Sequence, residues 1–183
     1  QYTNPEYKEL LTRWFEFGAF CPLFRIHGYK SNTEVWRYGK EFEDIARHYI
    51  DLRYLLMRYI YSMAADVTRN GAIMAKPLAF DYPEDKNTWN IKDQFLFGSS
   101  ILVNPVTSYQ DRSLQLYLPK GVWYNFWTAE KSTGGKSVTV DAPLDKMPLF
   151  IKAGAIIPVG PKVQYAIQEE DEPLCIFVYP GAD

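Results

Sequence analysis

Two side chains that could form hydrogen bonds with a ligand stand close together near the start of the chain. Arg25 and His27 follow the apolar residues 19–24, and His27 is one of only two histidines. Residues two positions apart on a β-strand project from the same face, so both groups would lie on one side. Both could donate hydrogen bonds to the hydroxyl groups of a ligand. The alternative is a core histidine whose ring is satisfied by a backbone carbonyl.

The other residues with possible metal or redox chemistry indicate structural roles. His48 lies within a helical pattern and is predicted to lie on the surface of a helix. The acidic residues 169–172 lack the alternating ligands and the glycine of a calcium loop, which favours a solvated loop. Cys21 and Cys175 are too far apart for a common zinc motif, and we expect both to be small core residues. We expect no metal and no cofactor.

Carboxylates suited to general acid or nucleophilic catalysis are not evident in the sequence. Nothing in their spacing indicates a pair with opposed pKa values. The candidates are predicted to lie on helix surfaces or in loops, and they are Glu16, Glu34, Glu41, Glu43 and Asp44. If the chain is part of an enzyme, we expect its catalytic groups to lie outside it.

Composition excludes several classes of protein. The chain has 183 residues, of which 47% are hydrophobic, and a formal net charge of −2, so a folded core is expected. No basic stripe indicates nucleic-acid binding, and no apolar run is long enough to span a membrane. The chain starts without an initiator methionine or a signal peptide, so we expect a piece of a longer protein. A periplasmic, secreted or cytoplasmic location is compatible with this sequence, and the oligomeric state is open.

The segment that carries the two polar groups lies between two predicted helices. Asn4 is a good N-cap for the first helix, and Gly18 is expected to end it. The apolar residues of this helix recur at helical spacing, and they are Tyr7, Leu10, Leu11, Trp14 and Phe17. The continuous apolar run over residues 19–26 predicts a strand buried on both faces. Residues 40–70 form the longest helical pattern, and Gly71 ends it. This order is typical of a parallel α/β fold.

After Gly71 the pattern changes to short strands separated by Gly, Pro, Asn and Asp. Several such strands without intervening helices indicate an antiparallel sandwich or barrel. Gly134–Gly135 is predicted to be the turn of a hairpin between residues 123–130 and 136–140. The fold class is therefore α/β followed by all-β.

Six stretches of the chain resemble a known family in the family's own order. They are RWFEFGAFCPLFRIHG, EVWRYG, LRYLLMRYIYSMA, DQFLFGSSILVNPV, YLPKGVWYNFWT and PLDKMPLFIKAGAIIPVGP. Together they resemble glycoside hydrolase family 31, from the end of its (β/α)₈ catalytic barrel into the β-domain that follows. This resemblance implies that residues 1–73 form the end of the barrel, with its last strand between two helices. Residues 74–183 would form a β-sandwich domain.

The resemblance also implies a function. Members of the family are retaining α-glycosidases that use two aspartates on barrel strands, and both would lie upstream of this chain. The chain would then contain no catalytic residue and would need the rest of the barrel and an oligosaccharide substrate. His27 matches the histidine of the family's FRxH motif, which binds sugar hydroxyls in subsite −1. Arg25 matches the arginine of that motif, which supports the site.

Substrate preference follows from departures within these motifs. Many α-glucosidases of the family have RNH and EPW where this chain differs at Ile26, Gly28 and Val35. This resemblance implies an α-xylosidase acting on xyloglucan oligosaccharides, with an α-glucosidase as the alternative.

A different class of function is also open. The β-domain could be a non-catalytic carbohydrate-binding or structural module, with Trp123, Tyr124 and Trp127 as a stacking platform. The opposing interpretation places these aromatic side chains in the core.

Overall fold

The computed structural model describes residues 2–29, 33–168 and 173–181. Its helices are α1 (Pro5–Gly18), α2 (Lys40–Leu55), α3 (Met57–Asn70) and α4 (Leu78–Asp81), with 3₁₀ helices at Val35–Tyr38 and Lys86–Thr88. Its strands are β1 (Ala75–Pro77), β2 (Phe95–Phe97), β3 (Ile101–Val103), β4 (Ser113–Leu118), β5 (Val122–Asn125), β6 (Lys131–Thr133), β7 (Lys136–Asp141), β8 (Leu149–Lys152), β9 (Ile156–Val159) and β10 (Cys175–Val178).

The helical part follows the predicted caps, with one interruption. The Asn4 side chain accepts a hydrogen bond from the backbone N–H of Tyr7 at 3.2 Å and begins α1. The pattern predicted over residues 40–70 forms two helices, because the backbone of Leu56 leaves the helical region. Helical hydrogen bonds still reach Leu56 and continue beyond it, so the break is local. Gly71 ends α3 in the left-handed conformation, with φ of +69°.

The strands confirm the antiparallel all-β prediction for the second part. Six strands form one sheet in the order β1-β2-β3-β8-β5-β6, and β4–β7 and β9–β10 form two-stranded sheets. Every pairing among them is antiparallel, and Leu102 of β3 lies opposite Phe150 of β8.

The centre of the large sheet is buried on both faces. Ile101 and Val103 of β3 belong to the core shared with the helices, whereas Leu102 belongs to the core shared with β4 and β7. Successive side chains of a strand point to opposite faces, which explains why β3 reads as a continuous apolar run. The sheet therefore lies between the helices and the β4–β7 pair.

The predicted hairpin at Gly134–Gly135 is wrong. The strand before these glycines pairs with β5 and the strand after them pairs with β4, so residues 126–130 make the hairpin connection. The two glycines connect β6 of the six-stranded sheet to β7 of the β4–β7 sheet. A Cβ atom on Gly134 would lie 1.9 Å from the carbonyl oxygen of Pro119, and Gly135 has φ of +80°. A close crossing and a left-handed backbone require glycine here.

Helix α1 buries a polar face, which the sequence did not indicate. Among its apolar residues Leu10 and Trp14 are 50% and 61% exposed, while Glu16, predicted to lie on the surface, is fully buried. Arg13 explains the difference, because its guanidinium donates hydrogen bonds to carbonyl oxygens of the second part. The acceptors are the oxygens of Ala142 at 2.8 Å, Pro143 at 2.9 Å and Asp111 at 3.2 Å.

An ion pair also joins α1 to the strand-rich part. The Glu9 carboxylate accepts from both terminal nitrogens of Arg112, at 2.6 and 2.8 Å. It also accepts from the backbone N–H of Gln110, which has a positive φ of 64°. The Arg112 side chain lowers the pKa of the Glu9 carboxyl by hydrogen bonding to its charged form. The carboxylate therefore holds an unusual turn against α1.

The cysteine prediction is wrong for one residue. Cys21, which follows α1 in the sequence, is partly buried, but Cys175 on β10 is exposed. Both are free thiols. Within the described ranges β10 pairs only with β9, so it gives Cys175 no second layer to pack against.

Candidate functional site

The two predicted site residues lie in the irregular segment after α1. The predicted strand over residues 19–26 is not formed, and the described backbone carries no strand between α1 and α2. A strand needs a neighbour that completes its hydrogen-bond ladder. All ten described strands pair elsewhere, so this segment has no such neighbour among them.

The structure brings Arg25 and His27 into direct contact. A terminal guanidinium nitrogen of Arg25 lies 3.0 Å from Nδ1 of His27, and both side chains are exposed. A guanidinium can only donate, so Nδ1 must act as the acceptor. The neutral ring then carries its hydrogen on Nε2. The pair therefore presents one defined N–H donor at an exposed position.

An aromatic contact fixes the base of this segment. The ring of Phe24 packs edge-on against Phe15 of α1, with 4.9 Å between ring centroids. The same ring covers Gly18, where a Cβ atom would lie 2.9 Å from it. Gly18 was predicted to end the helix as a glycine cap, but it is the last helical residue without a positive φ, and Ala19 is the C-cap. The close approach of the Phe24 ring is therefore the reason for glycine here.

Arg53 of α2 is a functional candidate that the sequence analysis missed. Its guanidinium donates hydrogen bonds to the carbonyl oxygens of Ala19 at 2.8 Å, Cys21 at 2.6 Å and Pro22 at 3.1 Å. A signal was available, because Arg53 lies four residues after the buried Tyr49. Residues at that spacing share a helix face, so Arg53 is expected to be partly buried. A buried guanidinium needs hydrogen-bond acceptors nearby.

The stacking platform proposed for the β-domain is wrong. Trp123 is fully buried, and its indole nitrogen donates to the carbonyl oxygen of Pro119 at 2.8 Å. Trp127 is partly buried and donates to the carbonyl oxygen of Met147 at 2.8 Å. Tyr124 lies next to Tyr179, and its hydroxyl donates to the carbonyl oxygen of Pro180. These aromatic side chains pack in the fold and do not form an open platform.

The Glu16 carboxyl is buried beside Arg13 and cannot reach a ligand. One carboxylate oxygen accepts from Arg13 at 3.2 Å. Burial raises the pKa of Glu16 to about 8, although the charge of Arg13 acts in the opposite direction. Burial, and then the charge of Glu16, also raises the pKa of the neighbouring Tyr49 hydroxyl. This cluster belongs to the junction between α1 and the β-domain.

The remaining predicted residues lie away from this chemistry. His48 is exposed on α2, as predicted, with its ring centroid 5.6 Å from that of Trp127. Across the described residues, no three His, Cys, Asp or Glu side chains come together in a way that could hold a metal ion. No helix in the described ranges has the length and apolar character needed to cross a bilayer. The acidic run at 169–172 lies outside the described residues.

Comparison with protein families agrees with this arrangement of helices and strands. Residues 1–63 match the family model described as the glycosyl hydrolases family 31 TIM-barrel domain, and residues 71–157 match the glycosyl hydrolase family 31 C-terminal domain. The chain belongs to glycoside hydrolase family 31. The family matches confirm both the resemblance and the predicted fold class, which is the end of a barrel followed by a β-domain.

Relatives in family 31 include enzymes with different sugar specificities. An alpha-xylosidase from Saccharolobus solfataricus is 39% identical over 97% of this chain and 25% of its own length. Alpha-glucosidase 2 from Bacillus thermoamyloliquefaciens is 38% identical over 93% of this chain and 22% of its own length. The chain therefore spans about a quarter of the length of these relatives.

Solved structures of family 31 enzymes superpose closely on this chain. A GH31 alpha-xylosidase from Xanthomonas citri has a TM-score of 0.93 and 42% identity, covering 97% of this chain and 20% of that one. A mutant GH31 dextranase from Flavobacterium johnsoniae, complexed with isomaltotriose, has a TM-score of 0.93 and 37% identity. That match covers 98% of this chain and 22% of the dextranase. Structural neighbours of this family 31 chain thus bind oligosaccharides.

Proposed function

We propose that this chain is part of a retaining α-glycosidase, an α-xylosidase that releases xylose from xyloglucan oligosaccharides. The observation that carries this proposal is the Arg25–His27 contact, which leaves Nε2 of an exposed histidine as the N–H donor. The match to family 31 and the α-xylosidases among its relatives support the same reaction. An α-glucosidase is the second candidate, because a relative of nearly equal identity has that name.

The proposed role of His27 is to bind a hydroxyl group of the sugar at the cleavage site. Cleavage by a retaining glycosidase passes through a transition state with positive charge on the sugar ring. A hydrogen bond that strengthens as this charge develops lowers the barrier and does not merely improve substrate binding. Arg25 contributes by occupying Nδ1, because this contact keeps the donor on Nε2.

The groups that break the bond are proposed to lie outside this chain. Retaining enzymes hold two carboxyl groups roughly 5 Å apart on either side of the scissile bond. Glu9 and Glu16 are buried and paired with Arg112 and Arg13, so neither is available for that task. The rest of the catalytic barrel would supply both aspartates. We place the domain boundary between residues 73 and 74, where α3 has ended and β1 has not begun.

The test is to measure the kinetics of His27→Ala in the full-length protein that carries this chain. We expect kcat/KM for an aryl α-xyloside to fall more than about tenfold, which corresponds to roughly 1.4 kcal/mol of transition-state binding. The matched control is His48→Ala, which removes an exposed histidine from α2 and should leave kcat/KM unchanged. Kinetics of His27→Ala close to those of the unmodified protein would remove His27 from the site.

The same assays distinguish the two sugars. The proposal expects a higher kcat/KM for the aryl α-xyloside than for the matching α-glucoside. The reverse order would replace the α-xylosidase assignment with the α-glucosidase. Failure to hydrolyse either glycoside would contradict the α-glycosidase proposal itself.

A further inference from the structure

We propose that Arg53 is the positioning residue of this site, because it fixes the backbone segment that presents Arg25 and His27. This inference rests on the proposed function of His27 and extends it to a residue on a different helix. Arg53 does not extend to the sugar in this proposal. It acts on catalysis only through the position of the segment that begins after α1.

The guanidinium of Arg53 joins three carbonyl groups within four consecutive residues. One terminal nitrogen donates to Ala19 and Cys21, and the other donates to Pro22. The last carbonyls of a helix lack partners within that helix, and Ala19 is the C-cap of α1. The segment has no strand neighbour among the described residues, so a side chain supplies the donors that a ladder would otherwise supply.

Only an arginine suits this arrangement. Its donors lie in a rigid planar fork, whereas a lysine places three donors on one nitrogen. The Arg53 side chain is partly buried, and this burial lowers the pKa of its guanidinium. Hydrogen bonds from a charged donor are about twice as strong as neutral ones. The three bonds together therefore resist movement of the carbonyls.

The residues that Arg53 binds immediately precede the site. Pro22 is three residues before Arg25, and the Phe24 ring is fixed against Phe15 and Gly18 in between. After these two attachments, residues 25–28 of the segment are all exposed. Loss of the first attachment would let Phe24 alone determine where the His27 ring lies.

The experiment is a double-mutant cycle in the full-length protein, using Arg53→Gln, His27→Ala and the combination. For each variant, kcat, KM and the thermal midpoint are measured with an aryl α-xyloside. In the unmodified background we expect Arg53→Gln to lower kcat/KM about tenfold, mainly through kcat, because small displacements weaken transition-state contacts most. In the His27→Ala background we expect a loss of less than about twofold, since coupled residues are not additive.

Two comparisons separate positioning from a general loss of stability. Arg53→Gln should lower the thermal midpoint by the same amount with or without His27, because its hydrogen bonds to the backbone are unchanged by that residue. Arg53→Lys keeps the positive charge but lacks the planar guanidinium. Relative to Arg53→Gln, it should restore the thermal midpoint more fully than it restores kcat. The control is Arg47→Gln, which removes an exposed arginine of the same helix that pairs with Glu43.

The outcomes are distinguishable. A loss on Arg53→Gln that disappears in the His27→Ala background supports the inference. An equal loss in both backgrounds, or no loss in either, overturns the role of Arg53 and leaves the proposed function in place. If His27→Ala itself has unchanged kinetics, the proposed function fails, and the role of Arg53 through His27 fails with it.

Discussion

Replacement of Glu16 by glutamine should change how the stability of this protein depends on pH. The Glu16 side chain is fully buried, and burial raises its pKa from an ordinary value near 4.5 to about 8. Between those values the folded state binds a proton that the unfolded state releases. The free energy of unfolding must therefore decrease as the pH rises through this interval.

The size of the effect follows from the two pKa values. Each pH unit between the two pKa values lowers the free energy of unfolding by about 1.4 kcal/mol. Over the whole interval the decrease is at most about 5 kcal/mol. Glutamine resembles the protonated carboxyl and does not titrate. We expect Glu16→Gln to be about as stable as the unmodified protein near pH 5, and more stable than it by a few kcal/mol near pH 8.5.

The assay is urea unfolding followed by tryptophan fluorescence at half-unit intervals from pH 5 to pH 9. The matched control is Glu43→Gln, which changes a carboxylate on α2 that pairs with the exposed Arg47. Its stability curve should run parallel to that of the unmodified protein. Parallel curves for Glu16→Gln as well would refute the reasoning, because they would mean that Arg13 keeps Glu16 ionised in the fold.

Two further substitutions test close contacts of the fold, one within the strand-rich part and one between that part and α1. Gly134→Ala would place a Cβ atom 1.9 Å from the carbonyl oxygen of Pro119, so we expect a loss of about 3 kcal/mol or more in urea unfolding. Gly181→Ala, with nothing within 4 Å of the new atom, should change little. Arg13→Met would leave three carbonyls and the buried Glu16 without their donor, and we expect a loss of about 3–5 kcal/mol in the same assay. A loss below about 1 kcal/mol for Gly134→Ala or Arg13→Met would contradict the contacts described above.

The caps and the change from helices to strands could be predicted because they are encoded locally. Asn4 and Gly71 act where the sequence placed them, since a cap needs only its own backbone and the adjacent turn. Glu16 and Gly134 could not be interpreted correctly in the same way. Glu16 is buried where Arg13 binds carbonyls of residues 111, 142 and 143, and Gly134 lies against Pro119, so residues distant in sequence create both environments.

The candidate site shows the same division. The structure places Arg25 and His27 at 3.0 Å from each other, but the strand from which their shared side was predicted is not formed. The role of Arg53 requires knowledge of where α2 crosses the end of α1, a contact between residues more than 30 positions apart. The missing strand has a related cause, because strand pairing depends on neighbours that the local sequence does not contain.

The hydrogen bonds of Arg13 have a consequence for attempts to recombine this family by exchanging domains. The arginine belongs to the barrel segment, but its acceptors at residues 111, 142 and 143 belong to the β-domain. All three are backbone oxygens, so these hydrogen bonds depend on the paths of the loops and not on the side-chain types at those positions. A chimera that joins a barrel to a foreign β-domain should therefore be chosen by the shape of those two loops, and sequence identity at the junction is a poor guide.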